Sequence, residues 1–76
     1  MADFLGMDGH VYREVDCGGY DTEAAARAAC IARGATLYKE KMQGAFYLLP
    51  DHRLLRVTAR GWAHGYVVRE TVRVDV

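Results

Sequence analysis

Hydrophobic and polar positions divide this chain into one segment of helical period and several of strand period. From Asp21 to Gly34 the run Asp-Thr-Glu-Ala-Ala-Ala-Arg-Ala-Ala-Cys-Ile-Ala-Arg-Gly has no two-residue alternation and reads as a helix. Asp21 or Thr22 can cap the free amides of its first turn, and Glu23 sits where negative charge favours the helix dipole. Gly34 supplies a residue able to turn left-handed after the last turn. At about 100° per residue, Ala24, Ala25, Ala28, Ile31 and Ala32 share one side, while Glu23, Ala26, Arg27, Cys30 and Arg33 share the other. The first set is therefore expected to face inward. An alanine face fits closely against a broad flat partner, and a sheet is the natural one.

The rest of the chain alternates. His10 to Asp16 places Val11 and Val15 on one side and Tyr12 and Glu14 on the other, so a strand is expected there, broken by Cys-Gly-Gly-Tyr. Phe4, Leu5 and Met7 within Met1 to Gly9 predict a short strand or an arm docked at the sheet edge. Ala35 to Lys41 and Ala45 to Leu49 are β-rich and separated by Met42-Gln43-Gly44, which suits a hairpin or a bulged long strand. Pro50-Asp51-His52 signals a turn. Arg53 to Ala59 puts Leu55, Val57 and Ala59 on one face and Leu54, Arg56, Thr58 and Arg60 on the other. After Gly61 to Gly65, the strand Tyr66 to Val76 turns Tyr66, Val68, Val72, Val74 and Val76 inward and Val67, Arg69, Thr71, Arg73 and Asp75 outward. Glu70 breaks that pattern, which requires either a bulge or a place at the margin of the helix cover.

These elements predict a single α+β domain over residues 1–76. Its plan is two-layer, one helix packed on a largely antiparallel sheet of four to five strands in β-α-β-β-β order, with the other sheet face partly solvated. The final strand is long, and its end around Val72 to Val76 could offer an edge to a second copy, which leaves room for a homodimer.

Composition narrows the function classes. With 76 residues there is no room for a second domain, and 51% hydrophobic with 26% charged residues is a globular balance. Ten basic residues offset ten acidic ones, so bulk charge dictates neither a nucleic-acid nor a membrane partner. The distribution is uneven: Met1 to Gly34 holds three arginines against six acids, and Asp51 to Val76 five arginines against three acids. The first residues have no signal-peptide pattern, and no run approaches the roughly 20 apolar residues of a membrane span, so a cytoplasmic location is expected.

Candidate chemistry is sparse. His10, Cys17, Cys30, His52 and His64 show none of the paired spacings of a zinc site. The chain has no serine, and Cys30 reads as a small helix residue rather than a nucleophile. The Gly18-Gly19 pair matches a turn better than a phosphate loop, which needs further glycines and a lysine. Neither a cofactor nor a metal nor a catalytic set is expected; a small enzyme or metalloprotein is the remote alternative.

The outward row on the last two strands is the strongest binding feature. Paired as a hairpin, they bring Arg56, Thr58 and Arg60 beside Arg69, Thr71 and Arg73, with Trp62 and Tyr66 near one end. Arg56, Arg60, Arg69, Arg73, Trp62 and Tyr66 are thus the candidate partner-binding residues, for a larger protein or ribonucleoprotein complex first and for nucleic acid second. The competing reading is a solvated face balanced by acids such as Asp51, Asp75 and Glu40.

The order of elements around Asp-Thr-Glu-Ala-Ala-Ala-Arg-Ala-Ala resembles that of small phage and mobile-element proteins, including anti-CRISPR inhibitors, in which an alanine-rich helix packs on a short antiparallel sheet. The resemblance is one of plan, without a shared motif. It implies a protein that occupies a surface on a larger nucleic-acid-handling complex.

Overall fold

A computed structural model describes residues 3–61 and 64–75 of the chain. The elements run β1 (Phe4–Leu5), β2 (Val11–Tyr20), α1 (Glu23–Ala32), β3 (Thr36–Lys41), β4 (Gly44–Leu48), β5 (Leu54–Ala59) and β6 (Tyr66–Arg73). The class is α+β, as the periods imply. The sheet, however, has six strands rather than four to five, in the order β1-β2-β6-β5-β4-β3, with every neighbouring pair antiparallel. It curls, and the helix covers one face while the chain crosses from β2 near one edge to β3 at the other.

Thr22 caps the helix, its Oγ accepting from the Ala25 amide at 3.1 Å. At the far end Gly34 adopts φ +85, and its amide donates to the Ile31 carbonyl while that of Ala35 donates to the Cys30 carbonyl. This paired closure adds bonds to two carbonyls of the last helical turn, that of Cys30 also accepting from the Arg33 amide.

The face of the helix is the reverse of the expected one. Ala26 and Cys30 are fully buried, whereas Ala24, Ala25, Ala28, Ile31 and Ala32 are exposed. With alanine on every side, polarity carries little information about direction. The deciding contacts are made by long side chains that reach past the buried stripe: Arg27 bonds Glu40 and Arg33 bonds Glu70, each at the helix margin. Their stems cover apolar surface while their charges meet sheet carboxylates.

Leu55 lies at the centre of the core with Val57, Val68, Ala45, Tyr47 and Leu49, all facing the helix, and Tyr20 and Tyr66 pack on its rim. Glu70 shares that face, opposite Leu55 and Val15. It is buried without being unpaired: Oε1 accepts from Arg33 at 3.1 Å and Oε2 from Arg53 at 2.7 Å. The margin of the helix cover, and not a bulge in β6, accommodates it.

Two further expectations are corrected. The Cys-Gly-Gly-Tyr segment does not end its strand: β2 continues to Tyr20, with a bulge at Cys17, and Gly18 and Gly19 pair with Val68 and Val67. Gly19 suits this place because the Arg60 guanidinium lies where its Cβ would be. The long last strand is not an edge either. β6 sits between β2 and β5; beyond the end of its β5 ladder at Glu70, Val72 and Arg73 pair on one side with Arg13 and Tyr12. The true edges are β1 and β3, and β3 carries Lys39, Glu40 and Lys41 and a bulge at Tyr38, features that discourage edge pairing. Finally, Cys17 is exposed and Cys30 buried, both as free thiols.

Candidate interaction surface on the concave sheet face

Alternation along β5 and β6 delivers the outward row as expected. Arg56 stands directly opposite Arg69, and Thr58 opposite Val67, on the face away from the helix. Arg73 continues the row toward one end and Arg60 toward the other. Tyr66 does not join them: it pairs with Ala59 and Tyr20 and packs against the helix-side core. Trp62 lies outside the described residues.

The four arginines differ in how far their donors are already used. Arg56 is spent. Its Nε and a terminal nitrogen fork onto Glu14 at 2.9 and 2.7 Å, and its other terminal nitrogen donates to the Gln43 carbonyl at 2.8 Å. Both partners are mostly shielded, with side-chain exposures of 16% for Arg56 and 22% for Glu14, so this pair ties β5 to β2 across the intervening strand β6. Among the described residues Arg69 donates only its Nε, to Asp16 at 3.0 Å, and Arg73 only its Nε, to Asp75 at 2.8 Å. Among the described residues Arg60 makes no ion pair. The acids that balance the row thus come mainly from β2, with Asp75 as the one anticipated partner; Asp51 and Glu40 serve Arg53 and Arg27 instead.

Beside Arg73 the curl of the sheet forms an open trough of about 830 Å³. Phe4 and Tyr12 make one wall, their rings stacked with centroids 6.1 Å apart. Tyr38 from the opposite edge strand makes the other wall, and Leu54 and Thr71 line it between them. Its volume falls within the usual range of ligand clefts. A smaller groove of about 400 Å³ lies at the other end of the row, between Gly18, Gly19, Val67, Arg60 and Arg69.

The acids near the trough are internally consumed. Asp8 accepts the Tyr12 hydroxyl on one oxygen and the His10 amide on the other, and these bonds hold its carboxyl below the usual carboxylate range. Asp75 accepts Arg73 on one oxygen and faces His10 Nδ1 with the other; the Arg73 bond, above all, holds it down to about 2. No family model, curated protein or solved structure matches this chain. Chemistry and geometry alone therefore bear on what the surface does.

Burial pushes the Cys30 thiol up, and Cys17 Sγ points at the Glu70 carboxylate at 3.9 Å. Among the described residues, no three histidine, cysteine or acidic side chains converge as metal ligands, and no helix is long and apolar enough to cross a membrane.

The trough residues other than Leu54 and the row were not singled out by sequence. Phe4 stands in a two-residue strand, and Tyr12 and Tyr38 lie on strands at or beside opposite edges. Only the curl brings them to one concavity. The sole local hint is an aromatic at alternate positions with Glu14, on the side of β2 away from Val11 and Val15.

Proposed function

We propose that this chain is a non-enzymatic binding protein that acts by protein–protein interaction through the concave face of its sheet, as an inhibitor of a larger nucleic-acid-handling complex. The observation that carries the reading is the trough of Phe4, Tyr12, Tyr38 and Leu54 set beside guanidinium groups whose terminal donors are unspent among the described residues. Protein hot spots combine aromatic anchors with arginine in this way. The inhibitor role and its target rest only on the resemblance of plan. A nucleic-acid reading draws support from Arg60, Arg69 and Arg73 strung along one face, and remains the alternative.

The differing states of the arginines make the surface testable. Arg69→Glu combined with Arg73→Glu should abolish capture of the partner from host extract, by like-charge repulsion and lost hydrogen bonds. Arg56→Met should instead lower stability by about 1 to 2 kcal/mol, leaving Glu14 half-buried without its partner, and should retain capture. Nuclease treatment separates the readings, since a protein contact survives it. Undiminished capture by the double glutamate variant would move the binding surface elsewhere.

A further inference from the structure

Two observations about the trough specify the chemistry of what it holds. The first is a hydrogen-bond inventory: Asp8 and Asp75 have both oxygens engaged, while the terminal nitrogens of Arg73 make no hydrogen bond among the described residues. The donor surplus at that end is therefore cationic, whatever the formal balance of charges around it. The second concerns His52, which lines the same trough. It is the one non-glycine residue with positive φ among those described, at φ 70. A residue held in the left-handed region is a reason to look for a use of its side chain.

Register places the strand groups together. Leu55 pairs with Glu70 at the end of the β5–β6 ladder, so Leu54 and Thr71 stand just beyond it and Arg73 two residues further along β6, while His52 lines the trough from the turn that joins Leu49 to Arg53. The apolar step at Leu54 and Thr71 is thus followed, two residues along β6, by the terminal donors of Arg73. Two residues of extended chain span about 7 Å. A partner segment lying along the strands would meet the first step with one side chain and the second with the side chain two residues on.

We infer that the trough binds an extended segment of the partner protein in which an aromatic side chain is followed, two residues later, by a carboxylate. The aromatic ring packs on Leu54 between Tyr12 and Tyr38, and the carboxylate accepts from Arg73, with His52 as a second donor. This rests on the concave face being the contact surface, and adds to it the chemistry of the occupant.

The test uses the full chain and the capped pentapeptide Gly-Phe-Ser-Asp-Gly as probe, followed by amide chemical shifts. Saturable shifts at Leu54, Thr71 and Arg73 are expected with millimolar affinity, at least fivefold weaker when the probe aspartate is replaced by asparagine. Arg73→Gln should erase the difference between the two peptides while leaving the weaker, asparagine-containing probe bound as before, which also shows that the variant is folded. Moving the aspartate next to the phenylalanine should cost the same fivefold. Equal binding of the aspartate and asparagine peptides, or shifts confined to the helix face, would overturn the inference. If capture of the natural partner still depends on Arg69 and Arg73 while no peptide distinguishes acid from amide, the surface stands and this occupant is wrong.

Discussion

Leu55→Ala should remove about 3 kcal/mol of stability. Leu55 is fully buried at the middle of β5, with helix, β4 and β6 around it, so the removed methyl groups leave a cavity that the sheet cannot close. A domain of this size holds roughly 4 to 11 kcal/mol in total, so the variant keeps only part of it. Leu54, its neighbour on the concave face, is half-buried, and Leu54→Ala should cost about 1 kcal/mol or less. Urea unfolding checks both, with the midpoint moving and the slope held. If the two alanines cost the same, the assignment of faces along β5 is wrong.

The second large effect belongs to Glu70. Its side chain is only 10% exposed and joins Arg33, just past the helix, to Arg53 at the start of β5. Glu70→Gln keeps the shape but withdraws the charge from both guanidinium groups, and about 2 kcal/mol should be lost. The arginines are partly solvated and Arg53 retains Asp51, which keeps the loss below that of a fully enclosed pair. In an Arg33→Met, Arg53→Met background the same change should cost a few tenths of a kcal/mol. An undiminished loss in that background would mean that Glu70 acts through its packing and not through the two arginines.

What sequence could and could not reveal follows from the range of the interactions involved. The faces of β5 and β6 were legible because one side of each is buried, and period two then leaves a single consistent assignment. The start and stop of the helix were legible because caps are local. Its direction was not, since Ala26 and Ala28 look alike until Arg27 and Arg33 find Glu40 and Glu70. Nor could strand length show that β6 is central, because that depends on β2 folding back along it. The continuation of β2 through Gly18 and Gly19 was hidden by the usual role of paired glycines as breakers; here Gly19 admits the close approach of Arg60. For the site, alternation put the arginines on one face. Their pairing was out of reach, because Glu14 and Asp16 lie 42 and 53 residues away from Arg56 and Arg69 in sequence.

The exposed helix stripe of Ala24, Ala28 and Ile31 is the natural rival to the concave face, since Ile31 is 60% exposed. Photo-crosslinking from the two faces decides between them most directly. A benzophenone amino acid replacing Leu54 should yield, in host extract, one discrete protein adduct that excess unlabelled chain suppresses and nuclease does not. The same group replacing Ile31 should yield none that is suppressed. A suppressible adduct from Ile31 with nothing from Leu54 would contradict the concave face as the binding surface.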